Sequence, residues 1–181
     1  MIDNNIKAAM WTALIAIIID QLYHIVRGYS HQIFDLFGEG TIYYISIKFF
    51  FVFIVSLIIF SSRIEGRFTK SATIGIIAAY LFSIVLTYLF PGVYGTGMHM
   101  LHAAAIFAGA WAVLKYNLGG KTMANKIKIS TIVLAIIGWF YAFMPHTIHL
   151  SSRLDFGLSH SVHITVGVAA LILAYWDYQK K

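Results

Sequence analysis

TIYYISIKFFFVFIVSLIIF, residues 41–60, carries one charge, Lys48, and no acidic side chain. A helix needs about 20 apolar residues to cross a hydrocarbon core of roughly 30 Å, and this run has that length. Outward from it, five further apolar runs stand between clusters of charge, Gly or Pro, at about 6–26, 72–90, 98–116, 127–144 and 160–178. The chain of 181 residues is 60% hydrophobic and 11% charged, too few polar side chains to cover a globule of this size in water. The expected fold is therefore all-α: a polytopic integral membrane protein, a six-transmembrane-helix bundle. Short connections make residues 1–181 one domain in which each helix packs antiparallel to its sequence neighbour.

The first run is full length, lacks a small-residue cleavage site and carries Asp20, Gln21 and His24 in its second half, so it is expected to stay as a helix rather than leave as a signal peptide. The chain has no cysteine, which excludes disulfides, thiolate catalysis and sulfur-ligated metal centres. A bound metal must be held by nitrogen and oxygen.

Basic residues alternate between the two ends of the runs. Lys7, Arg63, Arg67, Lys70, Lys115, Lys121, Lys126, Lys128, Lys180 and Lys181 fall on one face, and the other holds only Arg27 and Arg153. Cytoplasmic loops are enriched in Lys and Arg, so both termini are expected in the cytoplasm, in the cell membrane. The net charge of +6 is then a topology signal that also favours anionic inner-leaflet lipids, and it does not point to nucleic acid.

With that orientation all eight histidines lie on the extracytoplasmic side. They include three copies of His-x-x-His: His99/His102, His146/His149 and His160/His163. Residues three apart share one helix face, so each pair is half of a nitrogen site, and two pairs from neighbouring helices complete four-coordinate ligation. Asp20 and His24, four apart on the first helix, are the nearest carboxylate and additional ligand. His146 and His149 follow Pro145, where a helix is expected to stop, so solvation at the interface competes with ligation there; His31 falls in a loop. His102 and His163 lie several residues inside their helices and are expected to point inward, for metal or haem ligation or for proton handling.

Small residues follow both inner histidines (Ala103, Ala104, Ala105, Ala108, Gly109 and Ala110; Gly167, Ala169 and Ala170) and permit close helix approach. The third and fourth runs and the fifth and sixth also look alike: a proline ends the first helix, and HxxH opens the next. Asp20 and Lys48 sit at equal depth, roughly 10 Å inside the outer ends of their helices, which permits them to pair as a structural ion pair, a proton relay or an orienting contact. Tyrosines on the histidine side and tryptophans on the other read as interfacial belts, and spacing selects no one tyrosine for chemistry.

The HxxH spacing differs from the HxxxH and HxxHH boxes of membrane desaturases, which also lie on the cytoplasmic face. Ser159-His160-Ser161 is faintly similar to an element of a family of membrane-bound metal-dependent hydrolases, without that family's accompanying Asp-rich and His-Arg motifs. The expected function is a membrane metalloenzyme, a hydrolase or oxidase holding zinc, iron or copper in preference to haem, with Asp20 as catalytic base and a lipid or small apolar substrate. Alternatives are a metal carrier or assembly factor, a haem-ligating electron-transfer protein, and a structural subunit of a membrane complex. Full translocation is disfavoured, because the cytoplasmic halves of the runs are nearly free of ionisable groups.

Overall fold

The computed structural model describes residues 3–27, 39–89, 96–122, 127–143 and 159–180, and all regular structure among them is helical. The helices are α1 (Asn4–Arg27), α2 (Glu39–Ser61), α3 (Arg67–Leu89), α4 (Thr96–Tyr116), α5 (Ile129–Phe143) and α6 (His160–Gln179). Four of them, α1, α2, α3 and α6, are long and apolar enough to cross a membrane. The apolar stretches described in α4 and α5 are shorter, Met100–Tyr116 and Ile129–Phe143. At about 1.5 Å per residue, α5 is roughly 22 Å long. Described α3 ends at Leu89 and described α5 at Phe143, each ahead of one of the chain's two prolines, Pro91 and Pro145. At the other end of α3, helix begins at Arg67, ahead of the apolar run expected to start at residue 72.

The chain divides into two compact units, residues 1–125 and 126–181. In the first, α1 packs on α2, α2 on α3, α3 on α4 and α4 back on α1, a closed up-and-down four-helix arrangement. Small residues bring the backbones together. Ala8, Ala9, Ala13 and Ala16 of α1 have no exposed surface, and a Cβ on Gly109 of α4 would stand 3.0 Å from Thr12 O and 3.1 Å from Ala16 N. Gly75 of α3 meets α4 in the same way, 2.9 Å from Ala103 O. Within this unit, then, the small residues that follow His102 serve contacts with α1 and α3.

Chain direction is fixed by polar contacts at one end of this unit. Asn5 Nδ2 donates to Ser61 Oγ (3.0 Å, buried), tying the start of α1 to the end of α2, and Asn4 Nδ2 reaches Lys121 O (3.4 Å) in the turn after α4. That turn passes through Gly119 at φ +90°, where a Cβ would lie 2.6 Å from Ala8 N, so glycine is required twice over.

The outer surfaces are apolar: Ile18, Leu22, Val26, Ile76, Tyr80 and Ile84 are exposed, whereas Asn5, Thr12, Asp20, Lys48, Ser56, Ser71, Ser83 and His102 are buried. Polar inside and apolar outside reverses the pattern of a water-soluble protein and suits contact with lipid.

The second unit is the α5–α6 hairpin. A Cβ on Gly138 would stand 2.6 Å from Leu171 Cγ and 2.9 Å from Gly167 O, so the two helices cross backbone to backbone. Its far end is closed by Asp177, which accepts from Ser130 Oγ (2.6 Å) and Thr131 Oγ1 (2.7 Å), with Lys128 Nζ at 3.5 Å.

Candidate functional site

Each helix of the first unit contributes a ring or a charge to one buried cluster. Tyr44 and Lys48 are one turn apart on α2 and share a face. Asp20 comes from α1, Phe82 from α3 and His102 from α4. Lys48 has no exposed surface, His102 1% and Asp20 3%, so packing shields nearly all of the cluster. Lys48 Nζ donates to Asp20 Oδ2 (2.7 Å), as their equal depth allows, and Tyr44 Oη–H donates to the same oxygen (3.0 Å). His102 Nδ1 lies 2.9 Å from Asp20 Oδ1 and 3.0 Å from Lys48 Nζ.

An unpaired charge within an apolar helix costs ~2.5–3.5 kcal/mol or more. Here the ammonium and carboxylate neutralise one another, and the aromatic rings add to the cation's environment: Lys48 Nζ is 5.6 Å from the Phe82 ring centre and 5.9 Å from that of Tyr44. Phe82 also meets the His102 imidazole edge to face, at 5.1 Å and 88°. The ring of His102 is held by packing and hydrogen bonding together.

The distances impose a choice on His102. A ring nitrogen either donates a proton or offers a lone pair. With the proton on Nδ1 it donates to Asp20 Oδ1, and Lys48 is bound through Oδ2 alone; with the lone pair there it accepts from Lys48, and Asp20 Oδ1 must carry a proton or face a lone pair. One proton therefore has three heavy atoms competing for it within 3.0 Å. Such a geometry allows a proton to pass between carboxylate and imidazole beside a fixed ammonium.

Asp20 also floors a cleft of about 180 Å³ between α1 and α4, lined by Ile19, Asp20 and Tyr23 on one side and Leu101, Ala104 and Ala105 on the other. Apart from Asp20 and Tyr23, the lining residues are apolar. A small apolar molecule carrying one polar group matches that lining.

Of the residues singled out in sequence, Asp20 and His102 come together. His163 is buried on α6, with its ring stacked on Tyr141 at 5.5 Å and 28°. His24, His99 and His160 lie on α1, α4 and α6, but their side chains are outside the described residues, as are His31, His146 and His149 entirely. The four-histidine shell expected from His99, His102, His160 and His163 thus rests partly on side chains that are not described. Among the described residues, no group of three or more His, Cys, Asp or Glu side chains is placed to hold a metal. In both hairpins that look alike in sequence, the second histidine of HxxH is buried against an aromatic ring of the preceding helix, His102 on Phe82 and His163 on Tyr141. Tyr44 enters the site unannounced; its one usable signal is its position one turn before Lys48.

No protein-family model, curated protein or solved structure matches the chain.

Proposed function

We propose that this chain is an integral protein of the cell membrane with six membrane-spanning helices, both termini cytoplasmic, whose Asp20–His102–Lys48 cluster does acid–base chemistry on a membrane-soluble substrate. The observation that carries this reading is the triangle of competing proton sites around Asp20, a residue that also lines the α1–α4 cleft. Asp20, the one carboxylate at the cleft, is the proton acceptor. His102 supplies or receives the proton from within the bundle, Lys48 keeps the centre neutral, and Tyr44 fixes the carboxylate's orientation. The substrate class is a lipid or small apolar molecule with a single hydroxyl, amine or activated C–H group, entering sideways between the helices from the extracytoplasmic half of the bilayer.

Two experiments test the two parts. For topology, a cysteine at Lys121 of the otherwise cysteine-free chain is expected to resist an impermeant thiol reagent in intact cells and to react after permeabilisation. Labelling from outside refutes the orientation.

For the site, dicyclohexylcarbodiimide, a membrane-soluble reagent for protonated carboxyl groups, is expected to modify Asp20. It should do so faster in Lys48→Met, where the ammonium no longer occupies a carboxyl oxygen. Ala104→Phe in the same background fills the cleft and should suppress the reaction by about tenfold or more. Mass spectrometry of the peptide bearing Asp20 reads both outcomes, and an unmodified Asp20 in Lys48→Met ends the case for access through the cleft.

A metal-dependent centre is the second reading, favoured by the Asp20–His102 contact, since a carboxylate commonly orients a metal-ligating imidazole through its other nitrogen. The ammonium of Lys48 beside that imidazole opposes a second cation and ranks this reading lower. Stoichiometric zinc, iron or copper in the purified protein, lost in His102→Ala, would reverse the ranking.

A further inference from the structure

At the end of the first unit away from Asp20, a cleft of about 310 Å³ lies between the turn leading into α3 and the turn leaving α4. Its volume is at the lower limit of small-molecule sites, about 300–1,000 Å³. Arg67 and Lys70 come from α3 and Lys121 from beyond α4, so two separate segments bring three cations to one concavity. Glu65 is the one acidic residue in the lining, leaving an excess of two positive charges, and Asn117 and Thr122 add uncharged hydrogen-bonding groups.

Arg67 and Lys70 also stand in the first turn of α3, which contains no acidic residue. Cations are disfavoured at that end of a helix, because the peptide dipoles already make it positive. Three like charges gathered in a cavity, two of them against the helix dipole, are stabilised by an anion placed among them.

We infer that this cleft binds a phosphate group. Arginine offers a planar fork to phosphate oxygens, and lysine a point charge. The group can arrive on the headgroup of an anionic lipid or as free phosphate, and both are recognised by the same three side chains. This inference is independent of the acid–base reading, which uses none of these residues.

The test uses the full-length protein in zwitterionic micelles, titrated separately with short-chain phosphatidylglycerol, short-chain phosphatidylcholine and inorganic phosphate, and read by phosphorus NMR and thermal midpoint. Saturable binding of phosphatidylglycerol over phosphatidylcholine is expected, weakened about tenfold or more by Arg67→Gln/Lys121→Gln. Glu65→Gln removes the opposing charge and is expected to tighten binding about threefold. Binding of inorganic phosphate without a preference for phosphatidylglycerol assigns the site to the soluble ion, with the same response to the variants. The inference is overturned if neither ligand binds saturably, or if binding is unchanged in the double variant. Should the double variant fail to fold, an unchanged affinity in Glu65→Gln overturns it.

Discussion

Lys48→Met is expected to destabilise the first unit by about 3–5 kcal/mol, the cost of leaving one member of a buried ion pair without its partner. Methionine nearly fills the volume of the lysine stem, so the loss reports charge rather than packing. The carboxylate of Asp20, 3% exposed, would retain Tyr44 and His102 but lose its counter-ion 2.7 Å away. Restoring neutrality with Asp20→Asn in the same chain is expected to recover most of the loss, because an uncharged pair of similar shape often equals a buried ion pair in stability. Unfolding in micelles, followed by circular dichroism, measures the single and double variants. A single variant as stable as the parent would mean that Lys48 is not held against Asp20.

Gly167→Leu is expected to disrupt the α5–α6 hairpin. A Cβ at residue 167 would fall 2.8 Å from both Cα and Cβ of Ala142, and backbone cannot rotate aside as a side chain can. Overpacking costs about 1–3 kcal/mol where neighbours can adjust, and more where helices must separate. Val168→Leu, one residue on at a position 45% exposed, is the matched control and should be nearly neutral. Limited proteolysis between the helices reads the difference; equal resistance of the two variants would contradict the crossing at Gly167.

The positions of the helices were legible because apolar runs alternate with Gly, Pro and charge. The limits of α2, α4 and α6 fall within about two residues of their apolar runs. The start of α3 was not, because Arg67 and Lys70 interrupt hydropathy without interrupting helix: their long stems are good helix formers. In the site, Asp20 and Lys48 could be matched by counting depth along two helices. His102 could not be matched to them the same way. Spacing grouped it with His99 three residues away and added Asp20 as a further metal ligand; the contact with Asp20, 82 residues distant on another helix, is a hydrogen bond between the two side chains. Tyr44 is one of eleven tyrosines, and only helix packing selects it.

The burial of Lys48 also bears on the order in which the chain can be built. Of the four helices long and apolar enough to cross a membrane, α2 is the most apolar, yet alone it would hold an ammonium in hydrocarbon. Its neutralising partner, Asp20, has already been synthesised when Lys48 emerges, so α1 and α2 can enter the bilayer as a hairpin with no net charge at that depth. His102 is made later, and the imidazole joins a pair that already exists. The first two helices thus bring a neutral pair to that depth, and the cluster is complete only when α4 arrives.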